Sequence, residues 1–419
     1  MNLRQIVVST VTLALATAAL TPVAASATGP SAPIDPSVAS LAAAQGLSLA
    51  EAQRRTDWQP RAATLDETLR RGQPDHVAGV WIDEEDGGRV KVGVAGRAPA
   101  PAAIGRDIVA LGLQDVTDLV PVQFSWTDLL APAPLLTTRL DAANQGSDVT
   151  LVPTLEPQHN RISLYVPRSG MTAAQRDLVA QVEARFADRV TFTSYPGRVQ
   201  LDRCGLIGSS YDCDKPLRGG VTIYDDDDPI CSTAFNARSI SDGKWYMMTA
   251  AHCGPNGMEF WAYQPGALWF SKIGAVHNRG EPSAYNDYSI ITINDPAGWN
   301  PQPWVYVKAS VGRGVAGTTT DSQYTINATS GTVVPQRVCA VTAFTGTSCG
   351  RVTQVGYPNP GDFAIADYCT QPGDSGGAVV NNHIALGIHF GNFGAACGVS
   401  AYVGINEAQQ VLNVRVVTA

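Results

Sequence analysis

All eight cysteines of this chain lie between Cys204 and Cys397, and the first 203 residues hold none. That asymmetry divides the chain into two kinds of sequence. An even cysteine count in an exported protein implies disulfides, although eight cysteines allow roughly a hundred pairings. No pair has the C-x-x-C spacing of a zinc site, so a structural metal is the weaker reading. The N-terminus points to export. Arg4 supplies a positive start, and Ile6 to Leu20 is apolar except for Ser9, Thr10, Thr12 and Thr17. Ala25-Ser26-Ala27 is a small-x-small cleavage site, so residues 1–27 read as a secretory signal peptide rather than a membrane anchor. The expected location is secreted, extracellular. No later apolar run is long and clean enough to span a bilayer.

The 419 residues suggest two or three domains at ~150 residues each. With 29 basic and 37 acidic residues the formal charge is −8, which argues against a strongly basic nucleic-acid binder. Only 16% of residues are charged and 44% are hydrophobic, so intrinsic disorder is also excluded as the default. Residues 28–203 read as a small α+β region. Leu41, Leu47, Leu49 and Ala52 sit in Ala-rich, helical sequence, and Ala98 to Ala103 is a Pro/Ala linker. Gly79 to Asp83 and Arg89 to Val94 flank an acidic Gly-Gly turn and predict a hairpin. Arg161 to Val166 and Val190 to Thr193 read as strands around an amphipathic helix over Thr172 to Asp188, with Leu178, Val182 and Phe186 on one face.

From Cys204 onward, short β-branched and aromatic runs alternate with Gly, Asn and Asp turns. Lys244 to Thr249, Tyr288 to Ile293, Trp304 to Val307, Gly331 to Val334 and Ile384 to Phe390 are candidate strands. A helical pattern returns at Glu407 to Leu412. Many short strands over some two hundred residues predict an all-β sandwich or a pair of barrels. No internal sequence repeat is visible.

The most informative stretch is Gly373-Asp374-Ser375-Gly376-Gly377. Glycines let the backbone turn sharply around the serine and aim amide N–H groups at one point. The N–H groups of Gly373 and Ser375 are the candidate oxyanion hole. A serine hydroxyl needs a base, and the base needs an orienting group. His252, in Thr249-Ala250-Ala251-His252-Cys253, is the candidate base. Asp287, at the head of an apolar run, is the candidate acid. Asp295 competes, but Asn294-Asp295-Pro296 reads as a turn. An α/β-hydrolase elbow shares the G-x-S-x-G pattern, yet those enzymes run Ser, acid, His, whereas this chain runs His252, Asp287, Ser375. His76, His159 and His277 read as structural histidines. The run Asp225 to Asp228 reads as a solvated loop rather than a calcium site.

On these two motifs the chain resembles the chymotrypsin-fold serine endopeptidases that bacteria secrete with a long propeptide, the streptogrisins and α-lytic protease. Residues from about 218 to 419 resemble the protease, and the hairpin with Gly79-Val80-Trp81-Ile82-Asp83 resembles their propeptide. The resemblance implies two six-stranded antiparallel β-barrels with a C-terminal helix, preceded by an α+β propeptide. Residues 1–27 would be the signal peptide, 28–203 the propeptide (its end between about 192 and 218) and 204–419 the protease. It implies a monomer that needs no cofactor and no metal. Its partners are protein or peptide substrates and its own propeptide, without nucleic acid, and without membrane once the signal is removed. It also implies three bridges, Cys231–Cys253, Cys339–Cys349 and Cys369–Cys397, which leaves Cys204 with Cys213. Each would stabilise by ~2–4 kcal/mol. The rival readings are a catalytically inactive binding module and an esterase, both on the same fold.

Five positions depart from relatives or bear on specificity. Many relatives carry a serine where Phe390 stands, and it supports the catalytic acid. Many carry a basic residue where Ala340 stands, and it pairs with the acid aligned with Asp374, whose partner here is therefore open. His389 stands where the glutamate-specific relative has a pocket histidine, which implies a preference for acidic residues before the scissile bond. Pro372 and Asn392 replace serines of that pocket. No Glu lies between Glu183 and Arg218, so self-cleavage there would use Asp202, Asp212 or Asp214, or another protease would make the cut.

Overall fold

The computed structural model describes residues 34–96, 102–144, 147, 149–195, 200–201, 216–225, 228–263, 270–280, 286–307, 322–394 and 397–419. The expected signal peptide over residues 1–27, the expected Cys204–Cys213 bridge and the centre of the Asp225–Asp228 run lie outside the described residues. Residues Ile34–Ala419 make one compact unit.

The cysteine-bearing region is built from two curled antiparallel sheets. In the first, the strands lie in the order Val414–Val416, Asn236–Ser239, Trp245–Thr249, Ser289–Thr292, Phe270–Arg279, Glu259–Tyr263, Thr222–Asp225, Asp228–Ser232. Thr233 N–H donates to Val221 at one edge, and Ala234 N–H donates to Met248 at the other. The chain from 228 to 239 thus acts as one bent strand that brings the sheet round on itself. In the second, Arg337–Val341, Ala378–Asn381, Ile384–Asn392, Ser400–Gly404, Phe363–Ala366 and Thr347–Gly356 follow one another, and the last pairs again with the first. That is a closed six-stranded barrel. Both barrels are filled by the β-branched residues that mark them in the sequence, and one core runs through both, from Ile223 and Ile291 to Val380 and Ile388. The C-terminal helix Ile405–Leu412 buries Ile405, Ala408 and Leu412 along one face.

The amino-terminal region repeats one motif twice. Each lobe is a hairpin, a helix and a strand parallel to the hairpin. The first uses Val77–Asp83, Arg89–Ala95, Ala102–Ala110 and Thr117–Val122. The second uses Val152–Glu156, Arg161–Pro167, Ala173–Phe186 and Val190–Tyr195. Helix Pro36–Gln45 starts on Asp35, whose carboxylate accepts from Ser37 N at 2.7 Å. Ser48 caps the long helix Leu49–Gly72.

Two expectations need correction. Gly331 to Val334 is irregular rather than a strand, because Val334 makes a single bridge to Trp81 instead of joining a ladder. Ala102 and Ala103, read as linker, open a helix that buries Ile104 and Ile108. The segments Thr117–Val122, Ala133–Asn144 and Val152–Glu156 carry structure that their sequence pattern did not announce.

Candidate active site

Neighbouring strands bring the histidine and the acid together. Trp245–Thr249 pairs with Ser289–Thr292, with Thr249 opposite Ser289. The first strand runs straight into the turn Ala251–Cys253 that carries His252, and Asp287 lies just before the second. Asp287 is fully buried. Its Oδ1 accepts His252 N–H at 2.9 Å and its Oδ2 lies 2.6 Å from His252 Nδ1. One carboxylate therefore holds both the backbone and the ring of the histidine. Asp295 is exposed and caps the short helix Pro296–Trp299, accepting from Gly298 N at 2.8 Å. The turn reading of that aspartate and the structure agree.

The serine arrives from the second barrel. Gly376 stands so close to the first barrel that a Cβ there would lie 2.0 Å from Thr249 Oγ1 and 2.2 Å from the Ser232 carbonyl. Only glycine permits this approach, and its φ of +86° belongs to the left-handed region. Ser232 N–H donates to the Ser375 carbonyl at 2.7 Å. The serine loop thus rests against the strand end that leads to His252. Ser375 Oγ lies 3.2 Å from the Phe390 carbonyl. Gly373 has φ +98°, and a Cβ there would meet the Phe344 ring at 2.5 Å.

Asp374 gains its partners from backbone and hydroxyl groups. Its Oδ1 accepts from Phe344 N at 3.2 Å and Thr345 N at 2.9 Å. Its Oδ2 accepts from Gln371 N at 2.8 Å and from Thr345 Oγ1. Burial pushes its pKa up, and these donors oppose the shift. Ala340 is buried in the barrel and supplies Asp374 with no charged partner.

His389 is fully buried on the strand Ile384–Asn392, one residue before Phe390. Its Nδ1 lies 3.1 Å from the hydroxyl of buried Tyr368. Asn392 is buried and Pro372 is exposed. Among the other histidines, His277 lies against Tyr246, His383 stacks on Tyr324 at 4.3 Å, and His159 pairs with Glu156. Disulfides join Cys231 to Cys253, Cys339 to Cys349 and Cys369 to Cys397. Cys231, His252 and Cys253 cluster as metal ligands would, but both sulfurs are consumed in the disulfide. Ser232, Thr345 and Tyr368 were missed by sequence reasoning. Each acts on a residue far away in the chain and sits in no motif of its own.

This geometry has known counterparts. The trypsin family profile matches residues 232–413. Glutamyl endopeptidase 2 of Streptomyces griseus is 32% identical over 184 residues, covering 42% of this chain and 86% of that protein. Streptogrisin-C of the same organism is 26% identical over 237 residues, covering 52% of this chain. This chain spans about half of streptogrisin-C's own length, 46%. A solved glutamic-acid-specific serine protease, described as using a histidine triad in substrate binding, is 29% identical. It covers 48% of this chain and 100% of its own, with a TM-score of 0.38. The chain belongs to the trypsin family of chymotrypsin-fold serine endopeptidases.

Proposed function

We propose that this protein is a secreted endopeptidase that hydrolyses peptide bonds through an acyl-enzyme on Ser375. Ser375 Oγ attacks the peptide carbonyl while its proton passes to His252. The tetrahedral oxyanion lies between the N–H groups of Gly373 and Ser375. His252 then gives the proton to the leaving amine, and water repeats the sequence to release the acid. Asp287 keeps the imidazole in the tautomer with its proton on Nδ1 and stabilises the imidazolium. The observation that carries this reading is the buried Asp287 carboxylate holding the His252 backbone N–H and ring Nδ1 beside the serine loop. A fluorophosphonate should label the secreted protein at Ser375 and lose its label in Ser375→Ala. No labelling of folded wild type would leave the inactive binding module. Hydrolysis of esters without matched amides would leave the esterase.

Residues 28–202, one residue short of the boundary expected from the cysteines, act as a propeptide that assists folding and then covers the peptide-binding edge. The supporting observation is a short antiparallel ladder in which Leu201 pairs with Gly391 and Gln200 with Asn392. That edge begins at Phe390, whose carbonyl lies beside the Ser375 hydroxyl. The released enzyme works as a monomer on proteins and peptides.

The preferred residue before the scissile bond is acidic. Tyr368 ties one nitrogen of His389, so the ring is oriented for a carboxylate, and the glutamyl endopeptidase relative supports the same choice. Asp202 follows Leu201 directly in the chain, which makes it the favoured self-cleavage residue over Asp212 and Asp214. Library profiling should show Glu or Asp preferred, and the mature protein should begin at Arg203. A preference for Phe, Tyr or Leu that is unchanged in His389→Ala discards the acidic pocket.

A further inference from the structure

We propose that Ser232 and Thr345 are positioning residues for the oxyanion-binding loop, fastening it with neutral hydrogen-bond donors. This rests on the reading of Ser375 as nucleophile and explains how its loop is held.

Two independent clamps meet on residues 371–376. The first is Ser232. Its hydroxyl donates to the Gly373 carbonyl at 2.8 Å and accepts from Ala343 N–H at 2.9 Å. Its own N–H donates to the Ser375 carbonyl at 2.7 Å. One residue of the first barrel thus grips the carbonyls on both sides of Asp374. The peptide unit between Gly373 and Asp374 is fastened at both ends, because Asp374 N–H donates to the Gln371 carbonyl at 3.1 Å. A fixed plane there leaves the Gly373 and Ser375 amides little freedom to turn away from a developing oxyanion. Ser232 is itself fully buried, follows Cys231 of a disulfide, and offers its carbonyl to Thr249 Oγ1 at 2.8 Å.

The second clamp is Thr345. A buried carboxylate is costly unless its lone pairs are filled. Asp374 is filled by three backbone N–H groups, two of them from the segment 344–345, and by the Thr345 hydroxyl. Burial raises the Asp374 pKa, and the Thr345 and Thr342 hydroxyls both oppose that shift. The Phe344 ring packs under Gly373, so the segment 343–345 touches the loop at both of its critical residues. Removing either hydroxyl leaves a buried acceptor short of a donor and lets the loop relax.

The test is a kinetic comparison of secreted, processed enzymes. Ser232→Ala and Thr345→Val should each lower kcat by about 10- to 100-fold with KM nearly unchanged, because the lost geometry matters only when charge develops. Affinity for a peptide aldehyde, whose adduct carries the oxyanion, should fall in parallel. Thr345→Ser, which keeps the hydroxyl, should recover most of kcat. Should Ser232→Ala reach the medium in too little folded form, the Thr345 pair decides the matter alone. A kcat within twofold of wild type in Thr345→Val overturns the inference. So does equal damage in Thr345→Ser and Thr345→Val, or a loss confined to KM. Unaltered variants of a probe-reactive wild type overturn this inference only. A wild type that never reacts with the probe overturns the enzyme reading and this inference together.

Discussion

The two barrels differ in closure, the second closing as six strands and the first curling on its bent strand, and they differ in what they hold. The first carries His252 and Asp287 on adjacent strand ends. The second carries Ser375, the loop around it and the buried His389. Among the described residues, the ladders of the amino-terminal region run to the second barrel. Val152–Glu156 extends Thr347–Gly356, and Gln200–Leu201 adds to Ile384–Asn392. Helix Pro36–Gln45 packs on the strands of the same barrel, and Trp81 bridges to Val334. Tyr165 and Tyr195 pack on Phe393, just past Asn392. The barrel that carries Ser375 is thus the one to whose strands the amino-terminal region adds its own.

The sharpest way to separate the barrels' contributions is at the reaction itself. Ser375→Ala should lower turnover by ~10⁴-fold or more, and Asp287→Asn should cripple it to a similar degree by spoiling the tautomer of His252. Steady-state rates on a peptide amide check this. Near-full activity in folded Ser375→Ala would break the assignment, and equal damage from Asp295→Asn would shift the acid. Next comes the dependence on the amino-terminal region. Residues 204–419 expressed alone should yield little active enzyme, and adding 28–203 in trans should restore it. Closing a β-rich fold requires distant strands to meet before contacts offset the entropy, and a preformed edge lowers that barrier. Equal yields in both arms would remove the asymmetry between the barrels.

The two amino-terminal lobes sharpen the comparison further. Leu155 sits in a strand paired on both sides, with Ile162 and with Val355. Leu155→Pro should cost about 3 kcal/mol or more and lower the secreted yield of active enzyme. An unchanged yield would mean that the shared ladder is not what templates the second barrel. Asp362, at the second barrel's seam with the amino-terminal region, has its pKa raised to about 6 by burial first and by Glu407 next. Its ionised form opposes folding above that pH. Asp362→Asn should therefore stabilise by about 1 kcal/mol above pH 6, after discounting for partial exposure, and the gain should vanish below about pH 4. Thermal unfolding across pH reads this directly, and a gain that grows on acidification would reverse the sign. The first lobe's rim contact should matter least. Glu84 meets Arg351 at 3.3 Å and Arg337 at 3.8 Å. Glu84→Ala should change stability by no more than about 1 kcal/mol in the same assay. A larger loss would place the first lobe's docking on a par with the second's.

Much of this was legible in the chain because it is recorded locally. The hairpin around Glu84 to Gly88, the helix Ala173–Phe186 and the strand Ile384–Asn392 follow from turn residues and periodicity within a few positions. The glycines of Gly373-Asp374-Ser375-Gly376-Gly377 marked the serine loop, and the proline after Asp295 marked that aspartate as a cap. The tertiary structure alone decided what each of these meets. The repeated lobe motif has no sequence repeat behind it, since different residues satisfy the same hairpin, helix and strand. Val152–Glu156 showed no alternation because it is buried on both faces between two neighbours. Asp374 was an acid without a visible partner; beside the local Gln371 N–H, its donors come from residues 344 and 345, about thirty residues away in the chain. Periodicity and turn chemistry are written in neighbouring residues. The groups that satisfy a buried carboxylate or complete a sheet edge are chosen by three-dimensional proximity, which leaves no mark on the residues nearby in sequence.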